Sequence, residues 1–213
     1  MSQFDLIIFD CDGVLVDSER LAVSTEAVIL AELGWPLTES EIIDRFVGRS
    51  PADMHRDVES QLGRPVDWDR VLEARYREVF ERELTAVPGI TEALESIDVA
   101  TCVASSGDHA GIRFKLALTG LLPHFEGRIY SAQDVERSKP APDVFLHAAQ
   151  EMGFDPRRCA VIEDSVSGVT AGVDACMTVF GFTGSVSSSP SLVAAGARPF
   201  ATMRDLPALL SLS

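Results

Sequence analysis

The chain has 213 residues, 46% of them hydrophobic and 24% charged. That excludes wholesale disorder and leaves room for one large domain, or one domain carrying a smaller inserted one. Asp and Glu number 33 against 18 Lys and Arg, for a net charge of −15. Such a surface repels phosphate backbones and anionic lipid, so neither nucleic acid nor a membrane is an expected partner. An anionic substrate would need a local positive site, with a metal ion an apt source of charge. The N-terminal MSQFDLIIFD has no basic leader and meets an acid after four apolar residues, so it reads as neither signal peptide nor membrane span. Cys11, Cys102, Cys159 and Cys176 include no C-x-x-C pair and read as reduced residues of a cytoplasmic protein.

The first apolar run, Leu6–Phe9, is nearly continuous, as expected of a strand covered on both faces. It leads into Asp10-Cys11-Asp12-Gly13. Two carboxylates two apart on an extended chain project to the same side. One suits a nucleophile and metal ligand, the other a proton donor and acceptor, and Gly13 lets the chain turn away. An ordinary Asp-Gly turn explains the fragment equally well. An EF-hand loop is excluded, because the glycine comes too early and the later ligands are absent.

Residues 17–86 show no strand pattern and many helix signals. Thr38-Glu-Ser-Glu41 and Ser50-Pro-Ala-Asp53 look like capping boxes. Met54, Val58 and Leu62 recur at helical spacing, and Val71, Leu72, Val79, Phe80 and Leu84 form an apolar face. About seventy residues of helix is long for a crossover between two strands, so this segment reads as a helical bundle inserted after the first strand and ending before Val87-Pro88-Gly89. The alternative is that these helices simply cover the sheet.

Three further apolar runs follow: Val99–Ala104, Ala160–Ile162 and Thr178–Phe180. Alternating with helical stretches, they predict an α/β fold with a parallel sheet and helices on both faces. Pro142 reads as a first-turn proline before a helix over Asp143–Met152, with Gly153 as its stop. Ser185–Ser191 reads as a surface loop.

Ligands of open parallel sheets bind beyond the carboxyl ends of the strands. The second run is followed by Ser105-Ser106-Gly107, whose hydroxyl and backbone N–H groups suit an anion or, alternatively, a helix cap. Lys139, between Ser138 and Pro140, is one of only two lysines against sixteen arginines. That choice points to a need for a compact ammonium, unless it is an ordinary solvated lysine. The run Ala160–Ile162 leads into Glu163-Asp164-Ser165. Adjacent acids ending a buried strand call for a cation, and their hard oxygens suit Mg²⁺, although Asp164 or Ser165 could also cap the next helix. Together, Asp10, Asp12, Ser105, Lys139, Glu163 and Asp164 fall at successive strand ends and compose a site for phosphoryl transfer.

At this point the chain resembles the haloacid dehalogenase superfamily, in its branch with a helical cap inserted after the first motif. The resemblance rests on Asp10-Cys-Asp-Gly-Val-Leu-Val-Asp-Ser18, Ser105-Ser106, Lys139-Pro-Ala-Pro-Asp143 and Glu163-Asp-Ser-Val-Ser-Gly168, and on the small-residue stretch Thr170–Met177. It implies a Rossmann-like core, residues 1–16 and 87–213, with an α-helical cap over residues 17–86. It further implies that Asp10 attacks phosphorus to form an aspartyl-phosphate. Asp12 would serve as general acid and base, and Ser105, Lys139 and the backbone near Ser106 would hold the phosphoryl oxygens. Mg²⁺ would be held by the Asp10 carboxylate, the Asp12 carbonyl and Asp164, and by Glu163 directly or through water.

Dehalogenating members lack an acid at the position of Asp12, so its presence points to phosphate chemistry. The closest likeness is to the β-phosphoglucomutase-like group of sugar-phosphate mutases and phosphatases. Mutases carry a histidine where Ala22 stands and a cap arginine where Pro51 stands, and both departures favour a phosphatase of a sugar phosphate or phosphorylated sugar acid. Arg45, Arg49 and His55 are candidates for substrate contact from the cap. The expected assembly is a monomer or weak homodimer. A mutase and a non-catalytic phosphate-binding module are the competing classes; the intact Asp10/Asp12 pair argues against the latter. An acyl-transfer hydrolase finds no G-x-S-x-G elbow, and no P-loop is present.

Overall fold

A computed structural model describes residues 3–47, 51–184 and 189–212. Six strands, β1 (Leu6–Phe9), β2 (Ala100–Ser105), β3 (Ile129–Ser131), β4 (Cys159–Glu163), β5 (Thr178–Phe182) and β6 (Arg198–Phe200), pair in parallel in the order β3-β2-β1-β4-β5-β6. The apolar runs form the central strands, and β1 and β4 are buried along their whole length. The two edge strands, β3 and β6, have only three residues each and no apolar run to mark them.

Alternate strand residues feed two cores. Ile7, Phe9, Val103 and Ile162 face a cluster completed by Leu94 of α5 (Ile90–Glu95), Ile112 and Leu116 of α6 (His109–Leu118), Phe125 of α7 (Leu122–Phe125) and Leu206 of α11 (Leu206–Leu212). Leu6, Ile8, Cys102 and Val161 face the other side, against Val144 and Ala148 of α8 (Asp143–Met152), Val169 of α9 (Val166–Asp174) and Leu192 of α10 (Ser189–Ala194). Helices on both faces bury the sheet, as parallel strands require. The serine-rich stretch expected as a loop is helical from Ser189. Pro190 suits the first turn of α10, and burial of Leu192 holds that helix on the sheet. Ser185–Ser188 lie outside the described residues.

Between β1 and β2 come α1 (Ser18–Leu33), α2 (Glu39–Phe46), α3 (Pro51–Leu62) and α4 (Trp68–Glu83). They share an apolar cluster of their own, built on Val23, Leu30, Ile42, Phe46, Met54, Val58 and Trp68. The box at Thr38 forms: its hydroxyl accepts from Glu41 N at 3.3 Å, and Thr38 N donates back to Glu41 Oε2 at 2.9 Å. The box expected at Ser50 starts outside the described residues. Val79, Phe80 and Leu84 turn instead to the main core, so α4 and the turn after it bridge the helical segment and the sheet.

The chain crosses between these helices and the sheet twice, and the crossings lie against each other. Asp17 N donates to Thr85 O at 2.9 Å and Val87 N to Leu15 O at 3.0 Å. Among the described residues, no helix is long and apolar enough to cross a membrane. All four cysteines are free: Cys11, Cys102 and Cys159 are buried and Cys176 is exposed.

Candidate active site

Strand register assembles the floor of the site. Phe9 pairs with Val103 on one side and Ile162 on the other, which sets Asp10 level with Ala104 and Glu163. Asp10 N continues the ladder to Ile162 O at 3.0 Å. Lys139 closes this row. Its ammonium donates to Asp10 Oδ1 at 2.8 Å, Glu163 Oε1 at 2.8 Å and Ala104 O at 3.1 Å, spending all three N–H groups. The side chain is 3% exposed and lies over the Phe145 ring at 4.7 Å. Lys139 is therefore a buried counterion, not a solvated surface group.

Glu163 is fully buried and its other oxygen is also filled. Oε2 accepts from Asp164 N, Ser165 N and Ser165 Oγ at 2.8–2.9 Å. The carboxylate lies against the first turn of α9, where a Cβ on Gly168 would stand 1.7 Å from Oε1. Only glycine fits there. Ser165, not Asp164, caps α9, accepting from Gly168 N at 3.0 Å. Gly13 does for Asp164 what Gly168 does for Glu163. Its φ is +72°, and a Cβ there would fall 2.0 Å from Asp164 Oδ2.

Asp12 sits past the end of β1, while Cys11 between the acids packs into the core. Lys115 of α6 reaches both Asp12 oxygens at 2.5 Å, and Ser18, the first residue of α1, donates to Oδ1 at 2.6 Å. Glu19 follows, half-buried in the same turn. Neither Lys115 nor Glu19 stood out in the sequence. The signal that singles out Lys139, a lysine in an arginine-rich chain, applies equally to Lys115, and sequence position alone does not reveal where a helix side chain points.

These contacts set the charge states. Burial raises the pKa of Asp10; Lys139 opposes this, Glu163 and Asp12 reinforce it, and the group settles at about 7. Burial, then the neighbouring acids, holds Asp164 well above the usual carboxylate range. Asp12 goes the other way: burial would raise it, but Lys115 and Ser18 outweigh burial and hold it low. Burial would lower both lysines, yet their carboxylate partners push Lys115 up to about 12 and Lys139 higher still. Glu19 is raised to about 7 by burial and then by Asp12 and Asp10.

Ser105 is buried at the end of β2, its hydroxyl accepting from Gly107 N at 3.2 Å, whereas Ser106 is exposed. The loop they begin is held by Ser131, which donates to Gly107 O at 2.6 Å, and by Asp108, which caps α6 through Gly111 N at 2.6 Å. Asp108, not Ser105 or Ser106, is therefore the cap of α6.

One oxygen each from Asp10, Glu163 and Asp164 falls within a 4.8 Å spread, and these hard, buried ligands can hold a metal ion. Burial and the neighbouring acids raise Asp10 and Asp164. Both Glu163 oxygens are already engaged by protein donors. Among the cap candidates, Arg45 lies over the Trp35 ring at 5.7 Å and His55 stacks on Trp68 at 4.2 Å, both within the helical segment. Arg49 lies outside the described residues.

Residues 7–182 match the family described as haloacid dehalogenase-like hydrolase. The chain belongs to the haloacid dehalogenase-like hydrolases. Similar proteins of this family include a 6-phosphogluconate phosphatase of Escherichia coli, 30% identical over 98% of this chain and 96% of that one. A conserved haloacid dehalogenase-like protein of unknown function from Agrobacterium tumefaciens superposes with a TM-score of 0.90 at 38% identity, covering 98% of each chain. A family hydrolase from Deinococcus radiodurans, with bound phosphate and sodium, superposes at 0.86 with 33% identity, covering 100% of this chain and 97% of that one. Family and relatives together make the chain a phosphoric monoester hydrolase.

Proposed function

We propose that the chain is a Mg²⁺-dependent phosphatase of small organic phosphate monoesters, with a sugar phosphate or phosphorylated sugar acid as substrate. The observation that carries this reading is the buried row in which Lys139 joins Asp10 and Glu163, with Asp164 alongside. The full-length likeness to a phosphatase of 6-phosphogluconate supports the substrate class.

Asp10 attacks phosphorus, a bond forms from its carboxylate, and the ester P–O bond breaks as Asp12, protonated once the incoming substrate loosens the hold of Lys115, delivers that proton to the leaving oxygen. Asp12 then takes a proton from water as that oxygen attacks phosphorus, the Asp10–phosphorus bond breaks, and phosphate is released. Lys139, the Ser105 hydroxyl and the backbone near Ser106 hold the phosphoryl oxygens. Asp10, Asp164 and the Asp12 carbonyl would hold Mg²⁺, with Glu163 contributing through water. When bound, Mg²⁺ supplies the charge that lets one anion approach another. Residues 17–86 act as a cap over a core of residues 1–16 and 87–213, excluding bulk water. Ala22 leaves α1 without the histidine of a mutase, which favours hydrolysis over phosphoryl return.

A panel of phosphate esters assayed with and without Mg²⁺ tests the reading. Metal-dependent release of phosphate is expected. D10N should lose at least about a thousandfold in kcat while its thermal melt stays cooperative; appreciable hydrolysis by D10N would remove Asp10 as nucleophile.

A further inference from the structure

We propose that Lys115 and Glu19 form a subsite for a hydroxyl group on the carbon next to the phosphoester, so that the preferred substrates are polyol phosphates. The inference rests on the phosphatase reading above and concerns the leaving-group side of the same crevice.

The two lysines of the site differ in what they have left to give. Lys139 directs all three N–H groups at protein acceptors. Lys115, with its side chain 12% exposed, has Asp12 as its one hydrogen-bond partner among the described residues. Asp12 takes two of the three N–H groups of Lys115, one at each oxygen, and Oδ1 also receives Ser18. Oδ2 keeps a lone pair to face the leaving oxygen, and the third N–H of Lys115 is left beside it. Little water reaches that ammonium, and a donor without an acceptor in such a place is costly. A substrate that brings an acceptor close to the leaving oxygen meets that N–H.

Charge selects the kind of acceptor. Five acids, Asp10, Asp12, Glu19, Glu163 and Asp164, crowd around Lys115 and Lys139, and a phosphate dianion adds to them. A further carboxylate at this point would be repelled. A hydroxyl accepts from Lys115 without adding charge, and its own proton needs an acceptor in turn. Glu19 supplies one. It stands in the first turn of α1 next to Ser18, with its Cγ 3.1 Å from where a Gly13 Cβ would lie, and Asp12 and Lys115 are among the charged groups it feels. A hydroxyl on the adjacent carbon is one bond beyond the ester oxygen that Asp12 serves. A substrate without it leaves Lys115 clamped on Asp12.

A matched pair of esters tests this: 1,2-propanediol 1-phosphate and propyl phosphate, which differ by that hydroxyl alone, assayed with Mg²⁺ on the full chain, K115M and E19Q. The wild-type protein is expected to favour the diol ester in kcat/KM by about tenfold or more, the scale for a charged hydrogen bond to a substrate hydroxyl. Both variants are expected to compress the ratio to about threefold or less. A wild-type ratio near one overturns the inference before any variant is made, and an unchanged ratio in either folded variant also overturns it. If K115M fails to give a cooperative melt, E19Q, which keeps the side-chain shape, decides alone. Hydrolysis of other esters but neither of this pair defeats the subsite and spares the phosphatase. Hydrolysis of no ester at all defeats both.

Discussion

The two ends of the crevice are built differently. At the Asp10 end every polar group is fixed by the sheet: Asp10, Ala104 and Glu163 are level because the strands pair in that register, and Lys139 binds all three. At the Asp12 end the partners come from outside the sheet, Lys115 from α6 and Ser18 and Glu19 from α1. The first end is set once the sheet folds. The second depends on where two helices lie.

Exchanging each lysine for methionine breaks the comparison most forcefully. K139M strands two buried carboxylates and should lose about 3–5 kcal/mol of stability in urea melts. K115M leaves Asp12, which is 28% exposed, within reach of water and should cost less than half as much. Equal losses would mean the two ends are equally rigid.

A smaller effect is expected from G168A. The added methyl displaces Glu163 and loosens the Asp10 end alone, for about 1–3 kcal/mol and a fall in kcat. Retained kcat would show that the seat of Lys139 is unimportant to turnover.

The mildest test is pH. With no metal bound, the raised pKa of Asp10 means the folded protein retains a proton that the unfolded chain gives up. Its contribution to stability is greatest below the ordinary carboxylate pKa, falls as pH climbs to about 7, and is level above that. Mg²⁺ should reverse the loss by favouring the ionised carboxylate. The rise in Tm on adding it should then be larger at about pH 8 than at about pH 5. A rise independent of pH would place the ion away from Asp10.

The same division governs how much was legible in the sequence. The Asp10 end could be read because strands announce themselves as apolar runs and ligands follow their carboxyl ends; Asp10, Glu163 and Asp164 came from that rule, and Lys139 from being a lysine in an arginine-rich chain. Ser165 as a cap was read as one of two alternatives, and the structure assigns it. Lys115 was not legible, since it stands in the last turn of a helix and its contact with Asp12 spans 103 positions of chain. Glu19 was hidden in the same way, one residue past the first motif, where only the packing of α1 against Gly13 gives it a role. The edge strands β3 and β6 escaped because three residues beside solvent need no hydrophobic signature.

The hydrogen bond from Asp17 to Thr85 has one more consequence. The chain enters and leaves the four helices through a doorway one peptide wide, and the stubs on either side already touch. Removing residues 18–84 and splicing the stubs would leave the path of β1 and β2 intact, and so would grafting a different bundle into the gap. A lineage could therefore acquire new leaving groups by rewriting what hangs from the doorway, while the machinery that handles phosphorus passes unedited from one enzyme to the next.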